Sequence, residues 1–250
     1  MKKMFIFALY LLGLSLIAVP CPSFAWGLEV GVGGAMQMQS GEIGYEPVSP
    51  TDSVDLGTNT KYQPYGRLKA VLPLFLPNIY VMATPMNFDG SGNKTFKFGD
   101  YTFTGAYESK LKLDHYDLAL YYSLPFLKTA TLDVLNIELG INVRVIDFKA
   151  EVREVSTGNS VSESLVIPVP MAYVGVQVKP IKAISLEAEG RGIAYSSNHY
   201  FDVIGRAKVT VFGPLFVAAG YRYEKVKIDQ SDVRADVQSN GPFVEVGLSF

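Results

Sequence analysis

Cysteine is almost absent: the 250-residue chain has one, Cys21, and only two histidines, His115 and His199. Cys21 lies inside a leader-like segment, so a chain cut after that segment carries no thiol. Disulfide staples and thiolate metal sites are thereby excluded, and so few histidines cannot build most metal constellations. A basic surplus is also missing. The net charge is −2, and it becomes more negative once Lys2 and Lys3 are removed, so nothing points to nucleic acid as a partner. Charged residues make up 18% of the chain, against roughly 25% in soluble domains. Beyond the leader, no apolar run approaches the roughly 20 residues that a membrane helix needs.

The leader itself is legible. Lys2 and Lys3 precede an uncharged apolar run from Met4 to Val19, and Ser23-Phe24-Ala25 places small residues at −3 and −1. This pattern predicts a secretory signal peptide over residues 1–25, cleaved before Trp26, and a single domain over 26–250. The run is too short for a permanent span, and Pro20 and Pro22 end it. Pro20 also stands directly before Cys21, where lipoprotein signals carry a small residue other than proline.

What the rest of the chain has is alternation. Ile137, Leu139, Ile141, Val143 and Val145 interleave with Asn136, Glu138, Gly140, Asn142 and Arg144. Ile184, Leu186, Ala188 and Gly190 interleave with Ser185, Glu187, Glu189 and Arg191, and Phe201 to Val211 repeats the pattern against Asp202, Arg206, Lys208 and Thr210. Period two held this long is a strand signal. It predicts strands near 27–40, 62–72, 78–88, 113–124, 132–149, 165–178, 183–195, 200–212, 215–228 and 237–250. Short connections (73–77, 125–131, 179–182 and 213–214) alternate with longer polar ones (41–61, 89–112, 150–164 and 229–236), with 196–199 as a short exception. The expected fold is all-β: a transmembrane antiparallel up-and-down β-barrel of about ten strands, with eight to twelve possible and both termini on one side. Only a closed barrel lets strands cross lipid without unpaired backbone groups. A soluble sandwich or lipocalin-like barrel would alternate too. Aromatic residues expected at two interfaces favour lipid: Phe75, Tyr80, Tyr122, Phe126, Phe212 and Phe216 near the short turns, and Phe88, Tyr116, Phe148, Tyr200, Phe201 and Tyr223 near the longer loops.

The chain finishes on Val244, Val246, Leu248 and Phe250. An alternating last strand with a terminal Phe resembles the assembly signal of Gram-negative outer-membrane barrels. The resemblance implies that Phe250 is read by the barrel-insertion machinery, and that outer-membrane lipid and lipopolysaccharide surround the product. Gly33-Gly34 and Ser40-Gly41-Glu42-Ile43-Gly44-Tyr45 further resemble a functionally uncharacterised group of such barrels with a Gly-Gly step in the first strand. That narrower resemblance implies a location and no activity.

Catalytic candidates are weak. Asp114, His115 and Asp117, and likewise Asn198, His199 and Asp202, place a histidine near carboxylates, as a general base requires. Successive residues of a strand face opposite ways, so Asp114 and His115 do not face each other. The paired Asp and His motifs of omptin-type proteases are not found, and Ser196-Ser197-Asn198-His199 reverses the order of lipid A deacylases. No enzyme activity, cofactor or metal is expected. The inward parity instead gathers seven acids (Glu29, Asp117, Glu138, Glu187, Glu189, Glu224 and Glu245) and seven bases (Arg67, Lys69, Arg144, Arg191, Arg206, Lys208 and Arg222). Within this set, Glu187, Glu189, Arg191, Arg206, Lys208, Arg222 and Glu224 lie on adjacent strands and are expected to form a lumenal ion-pair network. Balanced charge suggests a plugged lumen, because selective pores usually show one sign in excess. The expected function is a non-enzymatic outer-membrane barrel acting through its extracellular loops; the alternative is a narrow channel for ions or small solutes.

Overall fold

Alternating residues make every long segment a two-faced strand, and the chain satisfies both faces by rolling into a tube. The structure, a computed structural model, describes residues 27–45, 54–55, 59–73, 76–98, 100–229 and 233–250. The expected leader, its cleavage site at Trp26, and Phe75 lie outside the described residues. The strands are β1 (Gly27–Tyr45), β2 (Val54–Asp55), β3 (Asn59–Val71), β4 (Asn78–Thr84), β5 (Asn87–Asn93), β6 (Phe96–Phe98) and β7 (Tyr101–Phe103). They continue with β8 (Ala106–Ser123), β9 (Leu135–Glu154), β10 (Ser160–Ile181), β11 (Ile184–Tyr195), β12 (Asn198–Phe212), β13 (Leu215–Asp229) and β14 (Val233–Ser249). A short helix, α1 (Pro125–Ala130), joins β8 to β9.

Each long strand pairs antiparallel with the next, and β14 returns to β1 from Glu29↔Ser249 to Tyr45↔Val233, which closes the barrel. β4 and β5 together serve as one wall strand, since both pair with β8, at 115–121 and at 106–112. The wall therefore has ten strands. Gly27 and Phe250 lie at one end, called the base here, together with α1 and the turns at Lys182–Ala183 and Gly213–Pro214. The opposite end is the rim.

Outside, the wall is apolar. Leu118, Leu120, Leu139, Ile141, Val143, Val145, Leu186, Val203, Val209, Val217, Val244 and Val246 are all exposed. On β9 the outward apolar series runs from Leu135 to Val145 and stops at Asp147, about the 9–11 residues of a tilted membrane strand. Inside, polar side chains dominate. This is the reverse of a soluble protein, and a bilayer stabilises it.

Beyond Val145 the strands do not end. β8, β9 and β10 run on to 106, 154 and 160, past the edge of the apolar band, with Lys110, Lys112, Lys149 and Arg153 among their residues. The sequence reading took 89–112 and 150–164 for loops. Their outward residues are polar, which disguises strand as loop once lipid no longer demands an apolar face. Within 89–112, Phe96-Lys97-Phe98 and Tyr101-Thr102-Phe103 pair as a small hairpin, β6–β7, and bury Phe96, Phe98 and Phe103. Aromatic residues also depart from the expected belts. Tyr122, Phe126, Phe212, Tyr116, Phe201 and Tyr223 are exposed on the outside, but Tyr80, Phe216, Phe88 and Tyr200 are buried inside.

Glycine explains part of that inward choice. A Cβ on Gly33 would lie 2.6 Å from the Tyr65 ring, and one on Gly247 would lie 2.4 Å from the Phe216 ring. Each ring occupies the space that a side chain on the neighbouring strand would need, so Gly33 of the Gly-Gly step is there for close approach. Gly34 faces outward with open space around it.

Candidate functional site

The lumen is built by parity. Taking every second residue of β1, β3, β8, β9, β11, β12, β13 and β14 sends Glu29, Arg67, Lys69, Asp117, Glu138, Arg144, Glu187, Glu189, Arg191, Asp202, Arg206, Lys208, Arg222, Glu224 and Glu245 into one interior. These eight acids and seven bases form one connected network. At the base, Arg67 grips Glu245 at 2.7 Å and Glu29 at 2.5 Å, and Lys208 joins Glu29 at 2.7 Å to Glu187 at 2.6 Å. Lys69 bridges Glu138 at 3.0 Å and Glu189 at 3.3 Å.

Halfway up, Arg144 is the hub. It is wholly buried and donates to Asp117 from Nε and Nη2 at 2.8 Å each, to Glu224 at 2.7 Å and to Asp202 at 2.5 Å. Its guanidinium lies 4.8 Å from the centre of the Tyr200 ring. Arg222 shares Asp202 at 2.8 Å and Glu224 at 3.1 Å, while Arg191 reaches Glu189 at 3.3 Å and Asp202 at 3.5 Å. Arg191 thus joins the base to the middle through Glu189, and Arg206 ties Glu187 to Glu189 loosely. Glu189 and Glu187 stand 3.4 and 3.5 Å from it, and none of its three guanidinium nitrogens makes a hydrogen bond among the described residues.

Above the charges the interior turns apolar. Phe88, Phe96, Phe98, Phe103, Tyr107, Leu111, Val152 and Val237 pack together at the rim. Tyr200, with Ile146 and Met171, separates the two zones: its hydroxyl donates to Glu224 and its ring packs upward. A cavity of about 200 Å³ lies in this apolar zone. A second, of about 210 Å³ and polar, opens at the base between Glu29, Lys69, Glu138, Glu187 and Lys179. The ion-pair network stands between them.

No protein-family model matches the sequence, and no curated protein matches it. Solved structures do. The outer-membrane protease OmpT from Escherichia coli matches with a TM-score of 0.49 and 12% identity, over 92% of this chain and 99% of that one. The translocator domain of the autotransporter NalP from Neisseria meningitidis gives 0.42 and 11%, over 99% and 96%. Ail, the attachment invasion locus protein of Yersinia pestis, gives 0.38 and 11%, over 91% and 100%. The structural neighbours are Gram-negative outer-membrane β-barrels.

All seven residues expected in the network, Glu187, Glu189, Arg191, Arg206, Lys208, Arg222 and Glu224, are buried within the lumen. The sequence reading omitted Asp202 from the lumen, although it shares parity with Arg206 and Lys208; here it accepts from Arg144, Arg191 and Arg222. Of the two histidines, His115 comes near a carboxylate, with Nε2 3.7 Å from Glu224. His115 is buried with Nδ1 3.0 Å from the Leu113 carbonyl and Nε2 3.0 Å from Arg222, so Nδ1 donates and Nε2 accepts. His199 packs against Phe201 instead. Asp114 accepts the Met86 amide and pairs with Lys112, both at 3.0 Å. Phe250 closes the seam: its N–H donates to Leu28 at 2.8 Å, and its carbonyl accepts from Leu28 at 3.2 Å. At the rim, outside the apolar band, Glu154 accepts from the Thr157 hydroxyl, the Thr104 amide and the Tyr101 hydroxyl. These donors hold its carboxyl below the ordinary carboxylate range.

Proposed function

We propose that the protein is a non-enzymatic outer-membrane barrel that does not conduct, and that it works at its rim. The base would face the periplasm and the rim the cell exterior, with lipopolysaccharide around the outer half. Phe250 would serve the insertion machinery during assembly. The observation that carries the reading is the network itself. Opposite charges linked by ion pairs run through the lumen from Glu29 to Glu224, and a buried charge left without its partner costs several kcal/mol. A path for ions would have to break such contacts. The rim extensions of β8, β9 and β10 supply a broad surface of mixed charge for envelope partners.

Planar-bilayer recording tests the plug. The unmodified protein should show little steady conductance. Glu187→Gln with Glu189→Gln removes both carboxylates beside Arg206, while Lys208 keeps Glu29, Lys69 keeps Glu138 and Arg191 keeps Asp202. That double variant should raise leak currents. A large, stable, ion-selective conductance in the unmodified protein would refute the plug and favour a narrow channel.

A further inference from the structure

Among the described residues, one edge of β10 lacks a partner over half its length. β10 pairs with β9 along its length from Ser160↔Arg153 to Val178↔Leu135, but it meets β11 only from Ala172 onward. The β11–β12 hairpin turns back at Ser196–Ser197, whereas β13 runs on to Asp229. Among the described residues, β10 from 160 to 171 has no strand on that edge. A notch therefore separates upper β10 from upper β13. The sequence anticipates it: Pro168 and Pro170 stand at alternate positions in β10, and a proline donates nothing to a ladder.

The notch opens into the apolar cavity. Leu165 has the parity of the buried Met171 and Tyr173, yet it is 57% exposed, because no wall covers it. Ile167 on one side and Val226 and Ile228 on the other frame the opening, with Leu111 and Val237 behind and Tyr200 as the floor. Its height is set by register. Pro168 pairs with Val145, the last apolar outward residue of β9 before Asp147, so the opening lies at the edge of the lipid-facing band. In a bilayer the hydrocarbon boundary would lie against it.

We propose that this cavity binds a compact hydrocarbon group that enters sideways through the notch. The volume suits it. A cavity of about 150 Å³ lined by Leu, Ile and Phe holds benzene, and this one measures about 200 Å³. The Tyr200 hydroxyl is taken up by Glu224, and the other polar side chains on the lining are Glu163 and Ser164, so the rest of the wall is apolar. The hydrocarbon has two possible sources: a free molecule dissolved in the bilayer, or the acyl chain of an adjacent lipid. The site does not depend on whether the plug conducts.

The test uses the whole barrel in lipid nanodiscs with ¹³C-labelled Ile, Leu and Val methyl groups. Titrated benzene should shift the Leu111, Ile146 and Val237 methyls saturably, while outward methyls such as those of Ile141 and Val143 drift only with bulk partitioning. Leu165→Arg, at the exposed mouth, should weaken the apparent affinity at least tenfold, and Ile167→Trp should do the same by filling the space. Nitroxide placed on the lipid acyl chain separates the sources. Broadening of the Leu111 and Val237 methyls before benzene is added, relieved by benzene, assigns the site to a lipid chain; saturable shifts without that broadening assign it to a free hydrocarbon. No saturable shift and no broadening at those methyls would overturn the proposal, as would binding that both variants leave unchanged.

Discussion

Replacing Arg144 with methionine should destabilise the barrel by about 3–5 kcal/mol, the cost of stripping one partner from a buried ion pair. The structure says where that cost falls. Asp202 would keep Arg222 at 2.8 Å and Arg191 at 3.5 Å, and Glu224 would keep Arg222 at 3.1 Å and the Tyr200 hydroxyl. Asp117 would keep only the Asn142 amide at 2.7 Å, so one carboxylate is left without a cation in contact. Neutralising that carboxylate in the same chain, Arg144→Met with Asp117→Asn, should restore most of the loss. The coupling between the two sites should be about 2–3 kcal/mol, at the upper end for residues in direct contact. Reversible denaturant unfolding in lipid vesicles, run on the parent, both single variants and the double, closes the cycle. If Arg144→Met costs under about 1 kcal/mol, or if the double variant is no more stable than the single, Arg144 is not the hub that its hydrogen bonds describe.

Other outcomes follow from the same geometry. Ile141→Arg, near the middle of the apolar series on β9, should cost about 2–4 kcal/mol in vesicle unfolding, whereas Asp147→Arg beyond the band should cost under about 1 kcal/mol; equal costs would disprove the assigned lipid boundary. Leu186, also outward, lies near the base and should tolerate Arg better than Ile141 does. Because the Glu154 carboxyl titrates below its ordinary value, its contribution to rim order is present above the ordinary carboxylate range and is lost as pH falls through its lowered value. The protection factors of the Thr104 and Gly158 amides, taken relative to the intrinsic exchange rate at each pH, should fall on acidification below pH ~4, and Glu154→Gln should abolish that fall.

The wall was legible because lipid enforces a strict rule: from Leu135 to Val145 each second residue must be apolar, and parity then fixes which residues face inward. The same parity brings Glu187, Glu189, Arg206 and Arg222 together inside the barrel. Where lipid ends, the rule lapses. Lys110, Lys112 and Lys149 face water from strands that look like loops in the sequence. Aromatic residues misled for a related reason. Tyr and Phe suit both a membrane interface and a bare glycine on the next strand, so Phe216 could not be assigned until Gly247 was seen beneath it. The cap hairpin did leave a signal in the alternation of Phe96, Phe98, Tyr101 and Phe103 around Gly99-Asp100, and Pro168 and Pro170 marked an edge. The notch itself depends on how far separate strands run, which one strand's sequence does not record.

The two prolines of β10 also bear on how copies of this chain meet in a crowded membrane. An open strand edge is a template on which another chain's strand can grow. Amides two residues apart point to the same side of a strand, and the pairing of β10 with β9 is unbroken through Pro168 and Pro170. The missing N–H groups therefore belong to the edge left free above the β11–β12 hairpin. At the foot of the opening, a strand arriving there finds acceptors at Pro168 and Pro170 without their donors, and a ladder cannot continue through them. The opening in the wall can stay open to small guests while refusing to zip two barrels into one sheet.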